Sequence, residues 1–379
     1  MSIRGNDVKT RCGQEINTLS VEPNDIGTPR GRRPPAAPVP TRIASIDTIR
    51  VVAIVAVVCI HTEPFKASNY LLFSAIIQCC RFAVPFFFVA SGYLFFTKLS
   101  AARPVGPSFR RFAIRIGLVF LVWSVVYIVE PRYSLVGMLG WRDGLWRSAA
   151  AGAEEVATHP VSTLMVGTAP HLWFLPALLG GMAIVASLVV SGRGRLVLPV
   201  ASLLYVLGLV SGSYSVTAVG MHLPIAASRG VFFSTLFVAM GWYLARHEVK
   251  IGARASLALI VAGLGILMAE AALLHTRFGL ATERLDHLVG TVILVVGVMA
   301  LALALPGLGA NTMLPRLGRF TLGIYVIHPV VAHSPLMWVA HPHLPEPVWQ
   351  VAAPVLVYAG SLVATFLLSR VAMLRPLVT

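Results

Sequence analysis

Thr48-Ile-Arg-Val-Val-Ala-Ile-Val-Ala-Val-Val-Cys-Ile-His-Thr-Glu-Pro-Phe65 decides the fold. The run is apolar over about the length that crosses a bilayer, yet it holds Arg50 and His61. They lie eleven positions apart. Eleven helical steps of about 100° return within roughly 20° of the starting angle, so the two side chains share one stripe. The rise between them is about 16 Å, roughly half of a hydrocarbon core. An ionisable group is costly inside a membrane span and turns by default toward a bundle interior, a cavity or a partner. The stripe therefore predicts a cation near one face, a base near the other, and a path between them.

Working outward, composition makes this an integral membrane protein. Hydrophobic residues are 57% of the chain and charged residues 12%, with mean hydropathy +0.80. Soluble domains carry about twice that charge. Apolar windows of span length argue for helices; a transmembrane barrel would show short alternating segments. The net charge of +15 sits mostly in hydrophilic breaks between the windows. That placement is an orientation signal and a contact for anionic lipid, and it argues against a nucleic-acid partner. Cys12, Cys59, Cys79 and Cys80 form no CxxC or Cys/His ligand pattern, so neither a disulfide framework nor a structural zinc is expected.

Residues 1–42 are polar, basic and proline-rich, as in Pro34-Pro35-Ala36-Ala37-Pro38, and read as a disordered cytoplasmic tail. Without an apolar h-region they are no signal peptide, and the first span is read as an uncleaved anchor. Residues 43–375 are read as one all-α transmembrane domain of ten helices in a single bundle. The spans fall near 44–62, 82–97, 111–129, 171–190, 195–212, 230–245, 254–274, 287–306, 319–339 and 348–370. Residues 69–80 read as an amphipathic piece at the interface or re-entering it. With the amino terminus inside, cytoplasmic segments hold 21 of the 30 Lys and Arg and outer segments seven. That excess predicts both termini in the cytoplasm. Spans 5, 7, 8 and 10 are almost clean Leu/Val/Ala and read as scaffold, whereas spans 1, 2, 4 and 9 carry the polar residues. No period of 20–50 residues repeats.

His61, followed by Thr62, Glu63 and Pro64, suits a general base, since a neutral imidazole takes a proton from a hydroxyl near pH 7. An interfacial histidine bonded to a loop is the plainer reading. Glu63 can orient that imidazole only if the helix ends before Pro64; loop solvation is the alternative. Arg50 suits an anion, though a local pair with Asp47 at i,i+3 also accounts for it. Arg81 opens the run Arg81-Phe-Ala-Val-Pro-Phe-Phe-Phe-Val-Ala-Ser-Gly-Tyr93 and is read as a substrate-binding cation or an interfacial anchor. Pro85 frees backbone groups there, and Ser91 and Gly92 allow close helix approach. Arg110, Arg111 and Arg115 form a basic cluster that is either a topology signal or a phosphate contact. His171 precedes Trp173 at the head of span 4. Thr321, Tyr325 and His328 lie at helical spacing on span 9. Glu270 is read as reaching water. His333, His341 and His343 lack a matched carboxylate or cysteine, so no metal is expected.

Four segments in order resemble the acyltransferase-3 family of bacterial integral-membrane O-acyltransferases. They are Asp47-Thr-Ile-Arg50 with ten residues to His61; Arg81 with Val84-Pro-Phe-Phe-Phe-Val-Ala-Ser-Gly-Tyr93; His171-Leu-Trp-Phe-Leu175; and Leu317-Gly-Arg-Phe-Thr-Leu-Gly-Ile-Tyr-Val-Ile-His328. The resemblance covers about residues 43–370. It implies transfer of an acyl group, usually acetyl, from cytoplasmic acyl-coenzyme A to a sugar hydroxyl of a surface or exported glycan such as exopolysaccharide, O-antigen or capsule. Arg50 and His61 match the family's arginine–histidine pair. Many members carry two arginines separated by two residues at the start of span 3, whereas three separate Arg111 and Arg115. On this reading His61, Glu63, Arg81, His171, Tyr325 and His328 are catalytic, with Arg81, His171 or Tyr325 donating to the oxyanion. Arg50, Arg111 and Arg115 hold the acetyl-CoA that serves as donor substrate. The acceptor is a glycan or lipid-linked sugar, and the site is the bacterial inner membrane. A transporter or flippase for a charged or sugar substrate explains the same intramembrane charges.

Overall fold

The computed structural model describes residues 43–99, 103–131, 133–221, 230–247, 249–286 and 288–379, with the side chains of 133–135 and 284 left aside. The expected tail of residues 1–42 lies outside them. The described chain is helical and holds no β-strand. Its helices are α1 (Ala44–Thr62), α2 (Tyr70–Cys80), α3 (Ala83–Phe96), α4 (Val105–Ile128), α5 (Tyr133–Thr158), α6 (Pro160–Val166), α7 (Phe174–Val190) and α8 (Val197–Ser211). They continue with α9 (Val231–His247), α10 (Ala253–Phe278), α11 (Val289–Ala304), α12 (Leu314–Leu317), α13 (Thr321–Ala332), α14 (Pro335–Ala340), α15 (Glu346–Arg370) and α16 (Arg375–Val378).

All ten expected apolar segments are helical, but ten full spans are not established. Seven described helices have the length and apolarity of a span, or eight if the bent pair Leu314–Ala332 and Pro335–His343 counts as one. Two of the ten, α9 and α11, have 17 and 16 residues and fall short. The amphipathic piece is corrected: α2 runs into α3 through Arg81-Phe82, and Tyr70–Phe96 makes one 27-residue apolar candidate. The 130–170 connection, read only as an outer loop, holds α5 and α6; α5 breaks at Gly140, whose φ of 79° no ordinary helical residue adopts.

α1 is the centre. It buries 56% of its best span window, whereas α8, α10 and α15 each bury 22% and turn most of their surface outward. The foot of α1 is polar yet buried, so each group finds a partner there. Ser45 Oγ donates to the Ala302 carbonyl at 2.6 Å and Thr48 Oγ1 to Leu308 at 3.2 Å. Without water, such pairing is what makes a buried hydroxyl tolerable.

Close crossings draw the other helices in. A Cβ on Gly92 of α3 would stand 2.5 Å from the Val238 carbonyl oxygen of α9, and one on Gly241 of α9 would stand 2.3 Å from the Val89 oxygen. Only a hydrogen fits at either place, so backbone meets backbone. Gly241→Val is expected to push α3 off α9 and lower the detergent-solubilised unfolding midpoint by several degrees. Gly117→Ala, at a position with nothing within 4 Å, is expected to leave it unchanged. Thermal unfolding followed by intrinsic fluorescence reads both, and an unshifted midpoint in Gly241→Val would overturn the tight-crossing account.

Candidate active site

The shared stripe of Arg50 and His61 opens onto two cavities. The first holds about 710 Å³ at the Arg50 end, walled by α1, α3, α4, α7 and α13. Among the described residues six cations line it (Arg50, Lys98, Arg103, Arg111, Arg115 and Arg319), and no Asp or Glu does. Its deeper wall is apolar, with Val57, Val84, Phe87, Phe174 and Leu178. The second cavity holds about 220 Å³ at the His61 end, where His61, Glu63, Arg81, Glu283 and Asp286 meet the rings of Phe73, Trp173 and Phe233. Val57 and Val84 line both cavities, so the two abut across that pair of side chains.

Arg50 keeps its local pair: Nη1 lies 3.4 Å from Asp47 Oδ1. The pair is partly buried, and Arg50 still lines the cavity. The three-residue interval between Arg111 and Arg115 is an i,i+4 spacing, which sets both on one helix face. Both line the first cavity; Arg115 also donates to the Thr379 carbonyl. Arg110 does not line it. Sequence reading missed Lys98, Arg103 and Arg319. Their signal was their place at the ends of α3, α4 and α13, where helix ends converge on one mouth.

Three imidazoles from three helical segments meet near the second cavity. The His61 centroid lies 5.0 Å from His328 and 6.2 Å from His171, and His171 lies 5.4 Å from His328. His171 and His328 are almost wholly buried, while His61 is open to the cavity. Nε2 of His171 and Nε2 of His328 are buried without a hydrogen-bond partner. The His171 turn is carried by Pro170–Trp173 and tied to α4 just upstream by Thr168 Oγ1 donating to Ser124 at 2.8 Å. Tyr127 of α4, also missed, packs edge-on to His171 with ring centroids 4.8 Å apart and donates its hydroxyl to the Val326 carbonyl at 2.7 Å. Among the described residues no group of three His, Cys, Asp or Glu is arranged to hold a metal ion.

Tyr325 is placed beside this cluster but corrected in role. Its hydroxyl donates to the His171 carbonyl at 2.5 Å. A single O–H so committed is not free to meet a developing oxyanion. Arg81 is likewise engaged: it pairs with Asp286 and donates to the carbonyls of Thr282 (3.0 Å) and Glu283 (3.4 Å). Its place on the cavity wall is real, but most of its donors are spent there. Thr321 is buried and donates to Gly318 at 3.0 Å.

Glu63 reaches the His61 cavity because α1 stops first. It is the C-cap, in the left-handed region at φ 47°, with its N–H on the Cys59 carbonyl. Lys66 Nζ lies 2.9 Å from both Glu63 and Glu283, and Phe65 N–H donates to Gln350 Oε1 of α15 at 2.6 Å. Glu270 does not simply meet water. Its carboxylate accepts the N–H groups of Val289 (3.1 Å) and Gly290 (2.7 Å) at the start of α11 and the Tyr214 hydroxyl. A carboxylate there satisfies donors that a helix leaves orphaned.

The Glu63 and Glu283 hydrogen bonds hold the Lys66 ammonium above its ordinary range. Burial pushes the Glu283 carboxyl up, but Lys66, a backbone bond and Arg81 outweigh it and leave it below its ordinary range. A lowered carboxyl contributes stability above its unfolded value, about pH 4.3, and loses it as pH falls through the lower folded value. A raised ammonium contributes below about pH 10.4 and loses it only as pH rises past the higher folded value. The bridge is therefore whole between those limits. The unfolding midpoint of Lys66→Met is expected to lie below wild type at pH 6 and to converge with it near pH 3. A gap that persists at pH 3 would show that charge is not the cause.

The chain matches the family described as Acyltransferase domain over residues 43–373, nearly its whole length, and belongs to that family. It is also similar to proteins of enterococci. An amino-acid racemase of Enterococcus faecalis is 26% identical over 217 residues, 53% of this chain and 28% of that protein. A serine/alanine racemase of Enterococcus gallinarum is 29% identical over 246 residues, 61% of this chain and 33% of that protein. A further amino-acid racemase of E. faecalis is 26% identical over 314 residues, 77% and 42% respectively. The chain thus spans less than half the length of these curated relatives. No solved structure matches.

Proposed function

We propose that this member of the acyltransferase family moves an acyl group, acetyl in the first instance, from acyl-coenzyme A to a hydroxyl of a surface or exported carbohydrate. The single observation that carries the reading is the pair of abutting cavities on one helix stripe. Among the described residues, one is lined by six cations and no Asp or Glu; the other has an imidazole open to it. Clustered guanidinium groups suit a donor rich in phosphate. The deeper apolar wall suits its flexible arm, which would reach past Val57 and Val84 over about the 16 Å that separate Arg50 from His61. The excess of basic residues in segments on the Arg50 side supports a cytoplasmic position for that mouth in a bacterial inner membrane, where acyl-coenzyme A is made. The second cavity mixes hydrogen-bonding groups with the Trp173 ring, which suits a sugar.

In this reading His61 takes the proton of the acceptor hydroxyl as its oxygen bonds to the thioester carbon. The carbonyl oxygen becomes an oxyanion, and in this reading His171 would donate to it from Nε2, which is buried beside His61 without a partner. The carbon–sulfur bond then breaks, and the thiolate leaves with the proton from His61. The alternative is an acyl-histidine relay, in which a His61 nitrogen bonds to the thioester carbon as the thiolate leaves, and the acceptor oxygen, losing its proton, then displaces the imidazole from that carbon.

The same two cavities also fit one other reading, passage of a small charged or sugar substrate across the bilayer. Membranes supplied with radiolabelled acetyl-coenzyme A and the cell's own glycan separate them: label bound covalently to glycan supports transfer, and uptake without label supports transport. His61→Ala is expected to lower labelling at least a hundredfold with unchanged membrane abundance. Arg111→Ala is expected to raise the donor KM several-fold and leave kcat nearly unchanged. Full activity in His61→Ala would refute the base.

A further inference from the structure

His328 is followed by Pro329, inside α13. A proline has no backbone N–H, so the carbonyl four residues before it, that of Tyr325, loses its helical partner. Inside a bundle no water replaces that bond. The structure fills the vacancy with a side chain: His328 Nδ1 lies 2.8 Å from the Tyr325 oxygen, and 3.2 Å from that of Ile324. A carbonyl only accepts, so Nδ1 must carry the hydrogen. In the neutral ring Nε2 is then a bare lone pair. That nitrogen points away from its own helix, is wholly buried, and has no partner. The nearest imidazole is His61, with centroids 5.0 Å apart and planes tilted by 51°. Each nitrogen stands about an ångström from its ring centre, so at this spacing a modest turn of the two rings brings one N–H···N bond within reach.

We infer that Pro329 fixes the tautomer of His328, and that His328 through Nε2 accepts the N–H of His61 and so orients it. The role resembles that of the carboxylate behind the histidine of a serine-hydrolase triad, supplied here by a neutral ring. In the acyl-transfer reading the second nitrogen of His61, which lines the cavity, takes the acceptor proton. His328 is a positioning residue in this scheme; it meets no substrate. Its kinetic consequence rests on the acyl-transfer reading, whereas the tautomer and the imidazole pair do not.

The test uses the full chain with ¹⁵N-labelled histidine side chains in nanodiscs. His61→Asn and His328→Gln identify the two rings by loss of their signals. In wild type, His328 is expected to show a protonated Nδ1 and an unprotonated Nε2. Pro329→Ala returns an amide to the Tyr325 carbonyl and is expected to mix the His328 tautomers and to move the His61 resonances. An Nε2-protonated His328 in wild type, or His61 resonances unmoved in both Pro329→Ala and His328→Gln, would overturn the inference. A second arm measures transfer from acetyl-coenzyme A to methyl glucoside and methyl glucosaminide. His328→Ala is expected to lose tenfold or more in kcat with donor KM unchanged, and His328→Gln, whose amide oxygen still accepts, to recover part of it. Equal loss in both variants, or a loss seen only in KM, would also overturn it. If wild type transfers no acetyl to these or to the native glycan while the tautomer result holds, the acyl-transfer reading fails and the imidazole pair stands.

Discussion

Inside a bilayer a polar group has no water to fall back on, and that constraint organises this bundle. Every polar side chain at the foot of α1 is spent on a carbonyl or an ion pair, as with Ser45 on Ala302 and Arg50 on Asp47. The same accounting explains Glu270, which closes the start of α11, and Tyr325, which holds the His171 turn. What is left over is then informative. Two imidazole nitrogens, on His171 and His328, are buried beside His61 without partners. The hydroxyls of Ser124, Thr291 and Thr365 are also buried without a partner, so it is the place of these two nitrogens beside His61 that marks them.

The two mouths differ in kind, and the difference follows from which ends of helices converge. At one end α3, α4 and the α12–α13 junction bring in cations, with no Asp or Glu among the described residues that line that cavity. At the other, the α1–α2 turn and the α10–α11 connection bring Glu63, Glu283 and Asp286 against Arg81 and Lys66. Val57 and Val84 stand where the two abut, and the Phe174 ring on the wall of the first cavity lies, centroid to centroid, 4.6 Å from Phe88 and 5.4 Å from Tyr325. Charge is thus kept apart from charge by rings and by the two valines, while the route along α1 remains short.

Much of this was legible from residue order. Low charge with long apolar runs predicts a helical membrane bundle, and the helices fall where the runs are. The eleven-residue interval places Arg50 and His61 on one stripe by geometry alone, and Thr321, Tyr325 and His328 on another. Span length was less legible, because an apolar run does not show where a helix stops: α9 and α11 prove short, and α2 joins α3. The role of Tyr325 was also hidden, since spacing shows which way a hydroxyl faces but not which carbonyl, 154 residues away in the chain, claims its hydrogen.

By itself the sequence determined the class of fold, the central importance of the first helix and the types of group that line its stripe. These are local matters of hydropathy and of a helical turn of 3.6 residues. Tertiary structure alone decided that Lys98, Arg103 and Arg319 join one cationic mouth, and that Glu63 shares a cavity with His61. It alone brought histidines from positions 61, 171 and 328 within about 5 to 6 Å. Those meetings depend on how helices cross, which backbone contacts at Gly92 and Gly241 set, and no spacing along one strand of sequence encodes the distance between two others.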